Sequence, residues 1–243
     1  MSRRRFFVPE IRRGIAELTG SDAEHLVRVL RAEAGQVYEI SDNHDLYLAE
    51  IEVARKAVVS FKILERLPAP ASTVQVVLFA ALIKFDRFEW LIEKATEAGA
   101  AGIQPFEAIR TERGLAQAAV KRKPRWEKIA LESSQQARRV RLPQIHDPIG
   151  LEKVLAANAS LRLMLDEEPA AVPVLRALPR PFTDADGVAL LLGPEGGWTE
   201  VERGQALAAG WQACSLGPTI LRAETAALAG LAIIQAAWAA RST

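Results

Sequence analysis

The strongest constraint on the fold is a series of short apolar segments that alternate with helix-like segments over the last two thirds of the chain. The segment Val188–Leu192 reads VALLL and is apolar at every position rather than at every second one. Such a strand is typical of a parallel sheet covered on both faces by helices, so the alternation predicts an α/β fold. The predicted strands are Thr73–Leu82, Gly102–Phe106, Leu161–Asp166, Val188–Leu192 and Gln212–Leu216.

The segments between these strands have helical spacing or helix-start signals. Thr199, with Glu202 three residues later, has the sequence of a capping box. The last predicted helix is apolar on nearly all sides, so it is buried either inside its own domain or against another chain. The predicted helices are Arg87–Ala98, Lys123–Arg138, Leu151–Ala156, Thr199–Ala209 and Ala223–Ala240.

The first 67 residues have a different pattern, with short alternating runs typical of β-structure. One helix is expected among them, with Ser21 as its cap and Glu24 as the capping-box partner. The stretch Pro68–Ser72 reads PAPAS and is the best candidate for a linker. We therefore expect two domains, residues 1–68 and 73–243. The predicted strands of the first are Gln36–Ile40, Leu46–Val53 and Ala57–Leu64.

Composition excludes several classes of protein. Among the 243 residues the longest apolar runs, Val74–Ile83 and Ala226–Ile234, fall short of the roughly 18 residues that span a bilayer. No apolar region follows the first arginines, so a signal peptide is not expected. Cys214 is the only cysteine, which excludes an internal disulfide and a multi-cysteine zinc site. Together these features predict a cytoplasmic protein. The histidines are isolated, so no metal site is expected.

Charge is concentrated in one stretch, although the net charge of the chain is only +1. From Arg110 to Arg141 there are ten basic and three acidic residues. A cluster of this kind is typical of a face that binds a polyanion such as RNA. A solvated helix face would explain the same stretch.

Three predicted strands end in unusual loops, and ligands of open parallel sheets bind at the carboxyl ends of strands. The loops begin at Leu165, Leu192 and Ser215, and the second reads LGPEGGW. Neither the dinucleotide nor the triphosphate glycine motif is present. A small ligand with an adenine ring and an amino-acid end fits better, although each loop taken alone could be no more than a tight turn.

The residues of these loops resemble a known family. LLLGPEGGWTEVE (190–202) and SLGPTILRAETAALAGL (215–231) are similar to two signature segments of the ribosomal RNA small subunit methyltransferase E family, in the SPOUT class. The resemblance extends through RRRFFVP (3–9), KFDRFEWLIEKATEAG (84–99), RTERG (110–114) and RWEKIALESSQQARR (125–139). Two departures, SSQQARR and the Gly99-Ala-Ala sequence, lie away from the loops.

The resemblance implies a fold that periodicity could not reveal. Residues 1–68 would be a small PUA-like β-barrel that binds RNA, and residues 73–243 a SPOUT α/β domain with a deep C-terminal trefoil knot. It also implies a homodimer, S-adenosylmethionine as the cofactor and no metal. The residues expected to bind the cofactor are Leu165, Asp166, Glu167, Leu192, Gly193, Pro194, Glu195, Gly196, Gly197, Leu216, Gly217, Ile220, Leu221, Arg222 and Thr225.

The implied reaction is methylation of N3 of a uridine in the decoding region of 16S rRNA (uridine 1498) on the 30S subunit. Arg222 is expected to stabilise the uridine anion, and Glu195 to orient Arg222 or to accept a proton. Alternatively, Arg222 and Glu224 only stabilise the start of the last helix. The residues expected to contact RNA are Arg3, Arg4, Arg5, Arg110, Arg113, Lys121, Arg122, Lys123, Arg138 and Arg139.

Two other functions remain open at this point. A SPOUT methyltransferase acting on another rRNA nucleotide or on tRNA would have similar loops. A non-catalytic RNA-binding accessory protein would share the basic stretch but would not need three elaborated strand ends. Cofactor binding separates the accessory protein from the enzymes, and the identity of the modified nucleoside separates the enzymes from each other.

Overall fold

The computed structural model describes residues 5–68, 74–179 and 187–240. The chain divides into two compact units. The first contains Met1–Ala71 and Ser134–Leu142, and the second contains Ser72–Ser133 and Pro143–Thr243. This division differs from the expected domains because Ser134–Leu142 packs with the first unit. Arg3, Arg4 and most of the predicted linker lie outside the described residues.

The first unit is built on a six-stranded sheet with the order β1-β4-β5-β6-β3-β2. Its neighbouring strands are antiparallel except for β1 and β4, which are parallel. Leu26, Ile40, Ile51 and Phe61 are fully buried in its core. The elements are β1 Arg5–Phe7, β2 Ile11–Arg12, β3 Ile15–Thr19, α1 Gly20–Arg28, β4 Val37–Ser41, β5 Leu46–Arg55 and β6 Val58–Leu67.

The predicted capping box at Ser21 and Glu24 is wrong. Strand β3 continues to Thr19, and helix α1 begins at once at Gly20, whose φ of 64° is in the left-handed region that favours glycine. Ser21 is therefore already inside the first helical turn. Glu24 pairs instead with Arg28, at 2.9 Å, and with Lys56, at 3.4 Å.

The segment Ser134–Leu142 is fastened to the sheet of the first unit by specific hydrogen bonds. The Ser41 hydroxyl donates to the carbonyl of Val140 at 2.6 Å, and the backbone N–H of Leu142 donates to Asn43 Oδ1 at 2.7 Å. The Arg5 guanidinium pairs with Glu39 at 2.8 Å and also donates to the carbonyl of Arg138. These contacts account for the segment's place in the first unit.

The second unit is built on an eight-stranded sheet with the order β10-β8-β7-β13-β11-β14-β12, and β9 also pairs with β8. All of its strand pairs are parallel, as predicted. The remaining elements are β7 Gln75–Ala81, α2 Phe85–Glu97, β8 Gly102–Glu107, α3 Leu115–Gln136, β9 Gln144–Ile145, β10 Ile149–Gly150, α4 Leu151–Leu155, β11 Leu161–Leu165, β12 Val172–Pro173, α5 Val174–Ala177, β13 Gly187–Leu192, α6 Glu200–Ala208, β14 Gln212–Ser215 and α7 Ala223–Ala239.

The continuous apolar pattern of β13 follows from two separate cores. Val188 and Leu190 pack into the larger core, with side chains of α2, α3 and α7. Ala189 and Leu191 pack into a smaller core, with side chains of α4 and α6. Because successive side chains of a strand point to opposite faces, a sheet covered on both sides needs apolar residues at every position. The α/β prediction from VALLL is confirmed.

Helix α3 begins earlier than predicted, at Leu115 rather than Lys123, and it contains Pro124. Proline lacks the N–H that would bond to the carbonyl four residues earlier, so it is unfavourable in the interior of a helix. Ala119, Trp126 and Ala130 are all buried on this helix, spaced seven and four residues apart. Burial of that face outweighs the local cost of the proline. The capping box of Thr199 and Glu202 on α6 is confirmed.

Helix α7 is buried on one side within its own unit. Ala227, Leu231, Ile234 and Trp238 belong to the larger core, whereas Ala232 and Ala236 are exposed. Burial inside the monomer therefore explains the apolar side chains of one face. In the described parts of the chain, no helix combines the length and the apolar character that crossing a membrane requires.

Candidate active site

One pocket of about 500 Å³ lies at the carboxyl ends of β13, β11 and β14 in the second unit. These three strands are neighbours in the sheet, so the loops that follow them meet at one place. This is the position at which open parallel sheets bind ligands. The predicted convergence of the three loops is found in the structure.

The lining contains every residue predicted to bind a cofactor except Thr225. Thr225 lies in the first turn of α7 with an exposed side chain, and Ala223 and Ala226 of the same turn line the pocket instead. Successive side chains of a helix point in directions about 100° apart. Neighbouring residues in the first turn of α7 therefore do not all face the pocket. Thr225 therefore does not line the pocket, and its contact with the cofactor stays a prediction.

Sequence reasoning missed several lining residues: Arg87, Trp198, Cys214, Thr219, Ala223 and Ala226. Arg87 is the most important of these because it is charged. It lies in the first turn of α2, which follows β7, and β7 is the neighbour of β13 in the sheet. The sequence did contain a signal for Arg87, because the predicted strand before it also ends at this edge of a parallel sheet and its loop should contribute to the pocket.

The loop Gly193–Trp198, which we call the glycine loop, is held against the sheet by Trp198. The indole Nε1 of Trp198 donates to the carbonyl of Leu165 at 2.8 Å, and its ring stacks on Phe106. A Cβ atom at Gly193 would lie 3.0 Å from the Trp198 ring. The first glycine is therefore required for this close approach, which the sequence pattern could not have indicated.

The charged side chains of the pocket differ in whether they have a partner within the protein. Glu195 pairs with Arg87 at 2.5 Å, and the predicted contact between Glu195 and Arg222 is not present. Arg222 precedes α7 with an exposed side chain that has no ion-pair or hydrogen-bond partner among the described residues. Glu224 is buried, and one of its carboxylate oxygens has no hydrogen-bond partner. Arg222 is thus the guanidinium in the lining that remains available to a ligand.

Asp166 and Cys214 lie deeper in the pocket wall. The Asp166 carboxylate is almost completely buried and forms an ion pair with Arg203 at 2.7 Å. The side chain of Asp166 is therefore occupied by Arg203. Burial, with a smaller contribution from Asp166, raises the pKa of the Cys214 thiol to about 12. Cys214 stays protonated near neutral pH and is not suited to act as a nucleophile.

Two residues expected to contact RNA have other partners. Arg5 is only 8 % exposed and forms part of the ion pair with Glu39, and its contact with RNA stays a prediction. Arg110 donates to the carbonyl of Gly196 in the glycine loop, at 2.6 Å. A buried charge is stable only when it is paired, and Glu39 provides this partner for Arg5.

The other basic residues of the set differ in how far they are paired. Arg113 and Lys121 are exposed and have no ion-pair partner among the described residues. Arg122 pairs with Glu89, at 3.0 Å, and lies over the Phe85 ring. Arg139 is half-buried, which lowers the pKa of its guanidinium to about 10. Lys123 pairs with Asp147 at 3.1 Å, and Arg138 pairs with Glu39 at 3.0 Å.

Comparison with known proteins identifies the family of this chain. A family model described as an RNA methyltransferase domain matches residues 70–235, and one described as an RNA methyltransferase PUA domain matches residues 18–63. Ribosomal RNA small subunit methyltransferase E of Mesomycoplasma hyopneumoniae is 32 % identical, over 92 % of this chain and 95 % of its own. The chain belongs to the ribosomal RNA small subunit methyltransferase E family. The Bacillus subtilis member is 29 % identical over 95 % of both chains.

Solved structures of methyltransferases have the same fold. A family member from Neisseria gonorrhoeae, bound to S-adenosyl methionine, superposes with a TM-score of 0.87, 29 % identity and 98 % coverage of both chains. A putative methyltransferase from Legionella pneumophila, with bound SAM, has the same TM-score, identity and coverage. The predicted family and the α/β fold with an N-terminal PUA-like domain are confirmed. The trefoil knot stays a prediction.

Proposed function

We propose that this chain transfers a methyl group from S-adenosylmethionine to N3 of a uridine in 16S rRNA, uridine 1498 of the decoding region, on the assembled 30S subunit. The observation that carries the proposal is the pocket at the ends of β11, β13 and β14, lined by the two signature segments of a ribosomal RNA methyltransferase family. Relatives with the same fold hold the cofactor.

The described pocket suits S-adenosylmethionine in size and in chemistry. Its volume of about 500 Å³ is in the range of small-molecule sites. Backbone groups of the glycine loop and of Leu216–Leu221 can recognise an adenine ring, and the apolar side chains of Leu165 and Leu192 can cover it. Arg222, which has no partner among the described residues, supplies positive charge for an anionic substrate. The bound cofactor supplies an electrophilic methyl group.

The residues of the chain then have to make uridine N3 nucleophilic. N3 carries a proton between two carbonyl groups, and it reacts as the anion once that proton leaves. Arg222 has no partner in the described protein, so its guanidinium is free to stabilise negative charge on a uridine carbonyl oxygen. Glu195 forms an ion pair with Arg87. We propose Arg222 as the residue that stabilises charge and Glu195 as the group that accepts the proton.

The RNA surface is proposed to include the exposed and partly paired cations of the basic stretch. Arg113 and Lys121 are the members best placed to bind phosphate because neither has an ion-pair partner in the described protein. Arg122, Lys123 and Arg138 would exchange a carboxylate partner for a phosphate. Such contacts release counterions, so binding should weaken steeply with salt.

Nucleoside mass spectrometry of 16S rRNA tests the proposed reaction. Deletion of the gene should remove one N3-methyluridine from 16S rRNA, and restoration of the intact gene should return it. Restoration with the Arg222→Ala variant should not. If the nucleoside that disappears is a different methylated base or comes from tRNA, another SPOUT activity is correct. If no modification changes while the chain still binds RNA, the accessory protein is correct.

We also propose that two chains associate through the exposed face of α7. This face consists of small side chains such as Ala232 and Ala236, which permit close approach of a second helix. Analytical ultracentrifugation at micromolar concentration should give twice the mass of one chain, and Ala236→Arg should give a single chain. Leu207→Arg, at an exposed position of α6, is the control and should leave the dimer intact. A monomeric parent protein would contradict the proposal.

A further inference from the structure

Arg110 lies in a segment whose backbone is fixed independently of its side chain. The backbone N–H of Ile109 donates to Glu202 Oε1 at 2.7 Å, and Glu202 is fully buried in the capping box of α6. The Thr111 hydroxyl accepts from the N–H of Ala108 at 2.9 Å. The residues on both sides of Arg110 are therefore held in place, and the direction of its side chain is determined by the fold.

The guanidinium of Arg110 is directed at the glycine loop. Its Nη1 donates to the carbonyl of Gly196 at 2.6 Å and, more weakly, to that of Trp198 at 3.4 Å. The aliphatic stem passes so close to Gly196 that an added Cβ would lie 3.3 Å from Arg110 Cβ and Cδ. The side chain thus covers one side of the loop, whose other side lines the pocket.

Two other contacts hold the same loop at separate points. Trp198 is anchored to the carbonyl of Leu165 by its indole, and the side chain of Glu195 pairs with Arg87. Neither contact restrains the carbonyl of Gly196, which lies between them in sequence. Removal of Arg110 would leave this turn with one fewer charge-assisted hydrogen bond, and such bonds are stronger than neutral ones.

We infer that Arg110 is a positioning residue that holds the glycine loop in the shape that receives S-adenosylmethionine, and not a contact to RNA. The inference deepens the proposed function and rests on it for the identity of the ligand. Arg110 does not line the pocket itself, so it acts through the carbonyls of Gly196 and Trp198. Arg113, three residues later, keeps its place in the RNA surface.

The test compares Arg110→Ala, Arg110→Lys and, as the matched control, Arg113→Ala in the full-length protein. With Arg110→Ala the Kd and the KM for S-adenosylmethionine should rise about tenfold, the effect of one lost hydrogen bond to a charged group. The kcat at saturating cofactor and the salt dependence of 30S binding should not change. Arg110→Lys should recover little of the affinity because a single ammonium does not reproduce the guanidinium geometry.

Arg113→Ala should give the opposite result, with unchanged cofactor binding and a log–log salt slope flatter by about one unit. If Arg110→Ala instead flattens that slope and leaves the cofactor Kd unchanged, Arg110 is an RNA contact and the inference is overturned. If Arg110→Ala does not fold, Arg110→Lys alone decides, since a folded Lys variant with parental cofactor affinity also overturns it.

Hydrogen exchange separates this inference from the proposed function. The backbone N–H groups of Gly193 and of residues 195–198 should exchange faster in Arg110→Ala than in the parent protein without any ligand present, whereas Arg113→Ala should not affect them. If exchange is faster in Arg110→Ala but the parent protein itself fails to bind S-adenosylmethionine, the positioning role is supported and the proposed cofactor is contradicted. Unchanged exchange would overturn the positioning role even if the cofactor binds.

Discussion

Replacement of Arg222 by Ala should lower turnover on 30S subunits by about 10²–10³-fold, the usual cost of losing one group that stabilises charge in the transition state. The affinity for S-adenosylmethionine should remain close to that of the parent protein. The physical reason is that the Arg222 guanidinium has no partner in the described protein, so its removal leaves no buried group unpaired. Single-turnover kinetics and calorimetry measure the two quantities separately.

The pH dependence of the Arg222→Ala variant gives a sharper test of the same role. A cation beside the uracil lowers the pKa of N3, so the parent protein needs less alkaline conditions to form the reactive anion. Without that cation the N3 pKa returns upward, and the single-turnover rate of the variant should keep rising with pH where that of the parent has levelled off. Arg222→Lys keeps the charge, so its single-turnover rate should depend on pH as that of the parent protein does, with a lower maximal rate.

The matched control for Arg222→Ala is Arg176→Ala, which removes an exposed arginine of α5 that does not line the pocket. It should leave both turnover and the pH profile unchanged. A parental turnover number for Arg222→Ala would remove Arg222 from the chemistry. The alternative, that Arg222 only stabilises the start of α7, would then be favoured if the thermal midpoint fell instead.

The sequence predicted the large features of the second unit because they follow from local chemistry. Val188–Leu192 is apolar at every position, and its alternation with helical segments predicted a sheet covered on both faces. Three elaborated strand ends were enough to indicate a ligand site at the carboxyl edge of the sheet, and the family resemblance implied that the three loops form one pocket. The family resemblance added the ligand and the reaction, which no periodicity contains.

Two basic residues have partners that the sequence could not indicate, because those partners lie far away in the chain. Arg5 has the sequence context of a basic surface cluster, yet Glu39 and the Arg138 carbonyl hold it in the interior. Arg110 belongs to the basic stretch by composition but contacts Gly196. The role of a cation depends on what the tertiary fold brings beside it, and charge clustering along a sequence does not contain that information.

Replacement of Gly193 by Ala should weaken binding of S-adenosylmethionine by about 10–100-fold, because overpacking of a close contact costs roughly 1–3 kcal/mol. The added Cβ would lie 3.0 Å from the Trp198 ring, which is tighter than normal van der Waals contact. Trp198 cannot move away freely, since its indole is bonded to Leu165 and stacked on Phe106. The glycine loop should shift instead, and calorimetry with S-adenosylmethionine measures the loss.

Gly204→Ala is the matched control because Gly204 lies within helix α6 and an added Cβ there meets no atom within 4 Å. It should raise stability by about 0.5–1 kcal/mol, as glycine is unfavourable inside helices, and leave binding unchanged. Trp198→Phe combined with Gly193→Ala isolates the cause, since a smaller ring makes room for the methyl group. The loss in the double variant should be smaller than the sum of the two single losses. Additive losses would mean that the Gly193 methyl group does not act through Trp198, and the proposed cause would be wrong.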